Sequence, residues 1–366
     1  MKAKHIFVVV LVVFLVCGVP LTACAPQGGT SDDSGTQPAS GEVIRWRMYQ
    51  NSGSLEISEL SERTWRWPAN YLALAEELGR ASNGRIEMEV MTPAGLGFTG
   101  TDVMRALEDN LVEVAEIGWG YYSGELPWLG INELPFLVRD PYVEHRMVMD
   151  VFEPYLQDAA DDYDFTLYFL SRQHALPYLA IYSKVPIDSI DDLQGLKLRI
   201  YDQYHAGFIE EAGATGVFMP FSEVPMAIEQ GVVDGAITSC GLVSLMGIHE
   251  SGIKYQTCMF PGMTTSGFAV GNKALEALPQ DLQGVVADVM GWFEDMNIAH
   301  VYNPVFAWEM MAADRALGNE ITFPQSPFVD TLEEYAKVSS WQDYLDDAGP
   351  MGQEILDACM AKLGRS

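Results

Sequence analysis

One arginine, Arg199, stands near the end of a short apolar stretch and has the chemistry to bind an anion. Leu196, Leu198 and Ile200 alternate around it, a pattern typical of a half-buried strand. The guanidinium group presents a planar fork of donors that matches a carboxylate, and it stays charged when partly buried. In a chain of formal net charge −30, such an arginine is an anion-binding residue, a member of a structural ion pair or a surface residue. The residues alone leave these alternatives open.

Aromatic residues are concentrated in a few short stretches that are candidates for the walls of a pocket. Tryptophan and tyrosine provide rigid apolar surfaces with one polar edge. The residues in question are Trp65, Trp67, Trp119, Tyr121, Tyr122 and Phe221. We expect a ligand with one carboxylate and an apolar or aromatic body. The alternative for each of these side chains is ordinary packing in the core or at a hinge.

The remaining reactive residue types do not form a catalytic pattern. The histidines are scattered, and none lies in a nucleophile elbow or beside a cysteine in a recognisable motif. His174 and His205 fall near the expected ligand region, where packing or surface exposure is the alternative to ligand contact. We therefore expect a protein that is not an enzyme. An exported enzyme acting on a small organic acid in the same cleft is the alternative, and a structural or adhesive lipoprotein is a third class.

The cysteines give no support for a metal site. After Cys17 and Cys24 the chain contains only Cys240, Cys258 and Cys359, without the spacing of a zinc site. A disulfide between Cys240 and Cys258 is compatible with an oxidising compartment, but the sequence does not establish it. We expect neither a metal nor another cofactor.

The first 42 residues predict export and a lipid anchor. Lys2 and Lys4 precede an unbroken apolar run at 6–16, which fits a signal peptide and is too short to span a bilayer as a helix. The tetrapeptide Leu-Thr-Ala-Cys ending at Cys24 resembles the lipobox of bacterial lipoproteins, which implies cleavage before Cys24 and a lipid on its sulfur. An ordinary secretory signal with an incidental cysteine is the alternative. Residues 24–42 are mostly small and polar, which indicates a flexible tether.

The overall charge excludes some partners. Removing residues 1–23 takes away two lysines and no acids, so the net charge goes from −30 to −32. A chain this acidic repels nucleic acid and anionic membrane surfaces. We therefore expect no nucleic-acid partner and contact with a membrane only through the anchor.

The candidate residues depend for their position on alternating strands and helices. In the first part of the chain, the pattern predicts strands at 44–49, 85–91 and 112–117 and helices at 69–79 and 102–110. In a later part, it predicts strands at 196–201 and 232–237 and helices at 204–212 and from Ser222 to Gly231. This alternation predicts an α/β fold with largely parallel sheets in two lobes, with the ligand in the crevice at the carboxyl ends of the strands. Beyond Pro279, apolar residues at helical spacing predict one long helix to Leu317, kinked at Pro304.

Several motifs together resemble one family of receptors. They are Pro93-Ala-Gly-Leu-Gly97, Glu133-Leu-Pro-Phe-Leu137, Ser189-Ile-Asp-Asp-Leu-Gln-Gly-Leu-Lys-Leu-Arg199, Met219-Pro-Phe-Ser-Glu-Val224, Gly231-Val-Val-Asp-Gly235 and residues 274–282. This combination resembles the solute receptors of tripartite ATP-independent periplasmic (TRAP) transporters, of the dicarboxylate-receptor type. The resemblance extends from Ile44 to the mid-300s.

The resemblance implies a two-lobed periplasmic-binding-protein-like α/β fold with crossing strands and one long bracing helix. On this basis we assign residues 43–176 and 265–303 to lobe I, and residues 177–264 and 304–366 to lobe II. The implied location is the periplasm or the outer face of the cell membrane. The implied partners are a small carboxylate ligand and the membrane permease subunits of a TRAP transporter.

The resemblance also implies a set of ligand-binding residues centred on Arg199. The positions that match the family's ligand contacts, together with Trp67 from the aromatic stretches, are Arg199, Phe221, Thr238, Trp119, Tyr178, Tyr121, Asp202, Gly118, Leu179 and Trp67. Sialic-acid receptors of the family carry a second arginine near Tyr178 and Leu179, and its absence here argues against sugar acids. Receptors that hold a metal have a glutamate soon after the pair matched by Asp234 and Gly235. That place has no carboxylate in this chain, so a metal-bridged ligand is disfavoured.

Overall fold

The computed structural model describes residues 43–51, 53–66, 69–140, 143–172, 179–260, 265–301 and 303–365, which belong to a unit spanning 40–366. The expected signal peptide (1–23) and the expected tether (24–42), including Cys24, lie outside the described residues. Within the described ranges, every helix is too short or too polar to cross a bilayer.

The strands of the described residues form two sheets of five and six strands. They are β1 Ile44–Tyr49, β2 Ile86–Met91, β3 Val114–Gly118, β4 Phe165–Arg172, β5 Leu179–Ser183, β6 Lys197–Ile200, β7 Thr215–Phe218, β8 Gly235–Ser239, β9 Tyr255–Phe260, β10 Thr265–Gly271 and β11 Glu320–Thr322. The first sheet has the order β2-β1-β3-β10-β4, and the second has the order β11-β9-β5-β8-β6-β7. Along the strands the chain passes between the sheets three times, from β4 to β5, from β9 to β10 and from β10 to β11. The fold is thus the expected two-lobed α/β architecture.

Helices cover both sheets. They are α1 Glu59–Arg63, α2 Ala69–Ala81, α3 Pro93–Leu96, α4 Val103–Glu108, α5 Glu144–Asp162, α6 His205–Glu211, α7 Val224–Glu229, α8 Val243–Met246, α9 Asn272–Glu276, α10 Gln280–Val301, α11 Pro304–Ala316, α12 Phe328–Tyr335 and α13 Trp341–Lys362. Short 3-10 helices lie at Gly100–Asp102, Trp119–Tyr122, Pro127–Glu133, Ile190–Leu193, Phe221–Glu223 and Ile248–Ser251, and a π-helix at Ala336–Ser340 joins α12 to α13.

The prediction of largely parallel sheets was right only in part, because each sheet is mixed. In the first sheet β1 is parallel to β2 and β3, whereas β10 is antiparallel to β3 and β4. In the second sheet β6 is parallel to β7 and β8, whereas β5 is antiparallel to β8 and β9. The antiparallel strands β5 and β10 are the ones that the chain enters after β4 and after β9, where it changes sheets. β11, which the chain enters when it changes sheets a third time, is parallel to its neighbour β9.

The prediction of one long helix from Pro279 to Leu317 was also wrong in part. α10 ends at Val301 and α11 begins at Pro304 as a separate helix. Asn303 caps α11, and its side-chain oxygen accepts the backbone N–H of Val305 at 3.1 Å. Proline suits the first turn of a helix but not its interior, so a new helix starts at Pro304. α10 packs against β4 and α2 of the first sheet, and α11 packs against α8 and β11 of the second.

The last two helices of the chain contact different lobes, and the assignment of residues 304–366 to lobe II stays a prediction. α12 packs against α6 in the lobe of the second sheet, whereas α13 packs against α5 and the 127–133 segment in the lobe of the first sheet.

The local prediction that Ser222 caps a helix was wrong. α7 has Glu223 at its N-cap position without a side-chain cap, because Phe221–Glu223 forms a 3-10 turn before the helix.

Candidate functional site

Arg199 lies on β6 of the second sheet and is almost completely buried, with 1% of its surface exposed. Its Nε donates to the carbonyl oxygen of Met219 at 2.9 Å, and its Nη1 donates to that of Ile237 at 3.2 Å. Among the described residues, Nη2 has no hydrogen-bond partner and no carboxylate forms an ion pair with Arg199. Two backbone carbonyls therefore fix the guanidinium group and leave one of its nitrogens available to a further acceptor.

Two tyrosines from different lobes lie next to the Arg199 guanidinium. Its central carbon is 5.2 Å from the ring centroid of Tyr201, a cation–π distance. Burial lowers the pKa of Arg199, and Tyr121 and Tyr201 act in the opposite direction. An arginine nevertheless stays protonated in proteins, so the site presents a positive charge in apolar surroundings, where its attraction for an anion is strongest.

Tyr121 crosses from the first lobe to the second. Its hydroxyl oxygen accepts the backbone N–H of Phe221 at 2.9 Å, and its ring lies edge-on to Phe218 with centroids 6.4 Å apart. The same ring packs over Gly118 and Gly100, where a Cβ would press against it. Burial raises the pKa of Tyr121, and the charges of Arg199 and Glu116 act on it with opposite sign. The structure thus brings together Arg199, Tyr121 and Phe221, which the sequence assigned to one site.

The strand residues assigned to the site lie beside Arg199 in the second sheet. Thr238 on β8 and Leu179 on β5 are buried, with 3% and 1% exposed, and the two strands pair with Thr238 opposite Ala180. Ile237, whose carbonyl accepts from Arg199, immediately precedes Thr238. The pairing of β8 with β6 places Arg199 opposite Ala236. Thr238 is therefore within the same part of the sheet as the arginine.

Asp202 lies at a contact between the lobes, where its carboxylate already has a structural role. The carboxylate oxygen Oδ1 accepts the backbone N–H of Tyr204 at 2.8 Å. A Cβ on Gly120, in the first lobe, would lie 3.5 Å from the Cβ of Asp202. Burial raises the pKa of Asp202 to about 7. An aspartate in this position contributes to the packing of the closed lobes.

Several of the aromatic residues belong to the core. Trp119 is fully buried, and its ring occupies the space that a side chain at Gly267 would need. Tyr122 is buried and accepts the backbone N–H of Met104 at 2.9 Å. Trp65 stacks with His300 at a centroid distance of 5.4 Å. These contacts agree with the packing alternative for Trp65, Trp119 and Tyr122.

Three residues named from the sequence cannot be placed. Trp67, Tyr178 and His174 lie outside the described residues. His205 is described and buried, and its Nε2 donates to the carbonyl oxygen of Glu133 at 3.1 Å. Burial lowers the pKa of His205 to about 3, so its imidazole is neutral and serves the contact between the lobes.

A buried glutamate on β3, Glu116, was not identified from the sequence. Its carboxylate accepts the hydroxyl of Tyr71, the backbone N–H of Asn51 at 3.2 Å and the hydroxyl of Ser266 at 3.0 Å. Burial raises its pKa while these donors lower it. The signal was present, since Glu116 is a charged residue inside an otherwise apolar strand pattern.

Glu133 is a second buried acid whose role the sequence did not reveal, although it lies in a family motif. One carboxylate oxygen accepts the hydroxyl of Tyr201 at 2.8 Å, and the other accepts the side chain of Asn132 at 3.0 Å and the backbone N–H of Thr265 at 3.3 Å. Burial raises the pKa of Glu133 well above its usual range. The Tyr201 contact joins the two lobes close to Arg199.

The three cysteines among the described residues are free thiols in this structure, including the pair considered for a disulfide. Cys240 and Cys258 are buried, with their sulfur atoms 2.7 Å apart. The described residues contain no group of three or more His, Cys, Asp or Glu side chains arranged to hold a metal ion.

Comparisons with known proteins agree with this architecture. The family model of DctP, the bacterial extracellular solute-binding protein family 7, matches residues 62–304. A solute-binding protein of Chromohalobacter salexigens is 25% identical over 167 residues, which cover 45% of this chain and 48% of that protein. The chain thus spans about half the length of this relative.

Solved structures resemble the chain over nearly its whole described length. DctP7 of Bordetella pertussis, an extracytoplasmic solute receptor that binds pyroglutamic acid, has a TM-score of 0.73 at 20% identity and covers 87% of this chain and 99% of its own. The periplasmic ectoine-binding protein of the TeaABC TRAP transporter of Halomonas elongata has a TM-score of 0.73 at 17% identity, with coverage of 87% and 99%. At these identities the structural similarity establishes the fold, and the match to the family model establishes the relationship. This chain belongs to the DctP family, the bacterial extracellular solute-binding proteins of family 7.

Proposed function

We propose that this protein is the extracytoplasmic receptor of a TRAP transporter and that it captures a small organic carboxylate through Arg199. The observation that carries the proposal is the state of Arg199: it is buried, held by two backbone carbonyls, and has one nitrogen without a hydrogen-bond partner among the described residues. A buried charge without a partner is costly. A carboxylate ligand supplies the missing acceptor and the missing charge.

The receptors of known structure support the ligand class. DctP7 of Bordetella pertussis binds pyroglutamic acid, and another TRAP solute-binding protein, from Rhodoferax ferrireducens, was solved with malonate. Tyr121 and Tyr201 lie next to the arginine in this chain, and Tyr121 accepts the backbone N–H of Phe221. These aromatic neighbours favour a ligand whose body is apolar or aromatic.

The proposed mechanism couples anion capture to closure of the lobes. The carboxylate pairs with Arg199 on the second lobe, and Tyr121 of the first lobe then closes over it by accepting the Phe221 N–H. Closure excludes water, which strengthens the attraction between the guanidinium and the carboxylate. The closed receptor delivers its ligand to the membrane permease subunits of the transporter.

We also propose that the receptor is exported by residues 1–23 and anchored through a lipid on Cys24, with 24–42 as a tether. The support is the pattern of the first 42 residues: two lysines, an apolar run, the Leu-Thr-Ala-Cys sequence and a polar stretch of low complexity. The anchor keeps the receptor at the periplasmic or outer face of the membrane in which the permease lies.

A ligand screen with an Arg199→Gln variant tests the function. Thermal unfolding is measured with aromatic, aliphatic, keto and sugar acids, and the acids that stabilise the protein are titrated calorimetrically. An acid present at 100 times its Kd raises the free energy of unfolding by about 2.7 kcal/mol. We expect Arg199→Gln to weaken binding at least about tenfold, because a hydrogen bond to a charged group contributes about 1.5–3 kcal/mol.

The matched control is Arg146→Gln, which removes one positive charge from an exposed position on α5. It should bind the same acids as the wild type. If no acid stabilises the wild type, or if both variants bind equally well, carboxylate capture by Arg199 is refuted.

A further inference from the structure

Cys240 and Cys258 lie together inside the second lobe. Cys240 immediately follows β8 and is fully buried, and Cys258 lies on β9 with 2% of its surface exposed. Both belong to one hydrophobic core, whereas Cys359 on α13 belongs to another. The sulfur atoms of the pair are 2.7 Å apart, and an S–S bond is about 2.05 Å long. The two sulfur atoms therefore need only a small movement to form a bond.

The two cysteines approach each other from the strands that flank β5 in the second sheet. Ala180 of β5 pairs with Thr238 of β8 on one side and with Cys258 of β9 on the other. Directly paired residues have their side chains on the same face of a sheet, and so do residues two apart along one strand. Cys240 follows Thr238 by two residues. Because Ala180 carries only a methyl group, the two cysteine side chains can meet over β5.

Hydrogen bonds from both neighbouring strands hold the backbone that follows Cys240. The side-chain oxygen of Gln256, on β9, accepts the backbone N–H of Gly241 at 2.8 Å. The hydroxyl oxygen of Tyr182, on β5, accepts the backbone N–H of Leu242 at 2.9 Å. The turn at the end of β8 is thus fastened to β9 and β5. The fold itself keeps the two thiols together.

The pair is enclosed once the protein has folded. The hydrogen bond to Cys258 and then burial raise the pKa of the Cys240 thiol, and thiol–disulfide exchange needs both a thiolate and access to it. Oxidation of the pair must therefore take place while the second sheet is forming, before the thiols are covered.

We propose that Cys240 and Cys258 form a disulfide bond when the chain folds in an oxidising medium. This modification goes beyond the proposed function, and only its natural setting outside the cytoplasm rests on the proposed export. The oxidant is a disulfide, for which oxidised glutathione serves as the probe.

The reaction consists of two exchange steps. The thiolate of one cysteine attacks a glutathione sulfur, which breaks the glutathione S–S bond, releases one glutathione thiolate and leaves a mixed disulfide. The thiolate of the other cysteine then attacks the cysteine sulfur of that mixed disulfide and releases the second glutathione thiolate. The two cysteines lose two electrons and two protons, and two reduced glutathione molecules are formed.

The bond would fasten the part of the sheet that holds the candidate site. It joins the end of β8 to β9 across β5, and it closes a loop between residues 18 apart in sequence. β8 carries Thr238 and the Ile237 carbonyl oxygen that accepts from Arg199. A crosslink over a loop of this size stabilises a folded protein, because it restricts the unfolded chain.

Disulfide mapping of the full-length protein tests the proposal. The protein is reduced and unfolded, refolded in a glutathione redox buffer, denatured without reductant in N-ethylmaleimide and analysed by peptide mass spectrometry. We expect the peptides of Cys240 and Cys258 to be linked to each other, and every other cysteine to carry the label. Full labelling of Cys240 and Cys258, or a bond from either to another cysteine, overturns the proposal. The same mapping on unrefolded protein from the extracytoplasmic fraction of an expressing host is a second reading, and labelled thiols at both positions there also overturn it.

Thermal unfolding gives an independent measurement. Protein refolded in the glutathione buffer is compared with protein refolded in excess dithiothreitol. The reductant should lower the unfolding midpoint of the wild type by about 5–10 °C and leave that of Cys258→Ala unchanged. The control is Cys359→Ala, which also removes a buried thiol but should keep the wild-type response to the reductant. Equal midpoints for the two wild-type samples refute the proposal. Neither the refolding assay nor this one depends on carboxylate binding or export, so a failure of the proposed function is a separate result.

Discussion

Replacement of Asp202 by asparagine should change how the stability of this protein depends on pH. Asp202 is fully buried at the contact between the lobes, and its Oδ1 accepts the backbone N–H of Tyr204. Its Oδ2 has no hydrogen-bond partner among the described residues. Asparagine has nearly the same shape and keeps an oxygen for the Tyr204 N–H, so the substitution removes the charge with little change in packing.

The direction of the effect follows from the raised pKa of Asp202. Burial raises it from 3.8 to about 7, so between these two values the folded protein binds a proton that the unfolded chain does not. The free energy of unfolding therefore falls as the pH rises through this range. Glu133 has a pKa raised in the same direction by burial, with the charge of Asp202 contributing. Both acids make the wild type more stable at pH 5 than at pH 8.

The magnitude follows from the size of the shift. A difference of about 3 pKa units corresponds to about 4 kcal/mol when Asp202 is fully ionised, at about 1.36 kcal/mol per unit. Roughly 2–3 kcal/mol of this cost disappears when the pH falls from 8 to 5. Asparagine does not ionise, so Asp202→Asn should be more stable than the wild type at pH 8, and its advantage should shrink by about 2–3 kcal/mol at pH 5.

Urea unfolding at pH 5, 6, 7 and 8 measures this difference, with the exposed Asp357→Asn on α13 as the control. The control should show a constant, small difference from the wild type at every pH. A stability difference between Asp202→Asn and the wild type that stays constant with pH would refute the reasoning. An advantage that grows as the pH falls would refute it more directly, since it would mean that the carboxylate is stabilised by the fold.

Two further predictions concern the packing of β8 and the capping of α11. Gly235→Ala should destabilise the protein by about 3 kcal/mol or more, because a Cβ there would overlap the carbonyl oxygen of Tyr182. Urea unfolding measures this loss of stability. The control is Gly284→Ala, because a Cβ at Gly284 meets nothing within 4 Å. Asn303→Ala should cost about 1 kcal/mol by removing the cap of α11, whereas Asn303→Asp should retain most of the stability in the same assay. Equal unfolding midpoints for Gly235→Ala and Gly284→Ala would contradict the first prediction, and equal midpoints for Asn303→Ala and Asn303→Asp would contradict the second.

The elements that could be predicted from the sequence are those with a clear local pattern. The strand predicted at 44–49 is β1 with the same bounds, and the helix predicted at 69–79 is α2, which ends two residues later. The strand predicted at 232–237 is instead β8 at Gly235–Ser239. The N–H groups of Val232 and Val233 both point back to the carbonyl oxygen of Ala227 and close the preceding helix. An apolar run does not reveal that its first residues belong to such a turn.

The features that the sequence did not predict are those set by distant parts of the chain. Periodicity identifies a strand but not its direction, so the antiparallel strands β5 and β10 were not anticipated. Glu116 and Glu133 become important only because Tyr71 and Tyr201 reach them from other elements. Arg199 could be named in advance because it ends a strand pattern inside a family motif.

The buried Arg199 gives a physical reason for ligand-dependent closure on the proposed function. In the closed form without a ligand, the protein would desolvate the positive charge of Arg199 and offer it no carboxylate. The cost of this buried charge favours the open, hydrated form. A carboxylate ligand removes that cost when the lobes close over it, so it stabilises the closed form more than the open one. Such a difference in affinity is what a ligand needs in order to shift a conformational equilibrium.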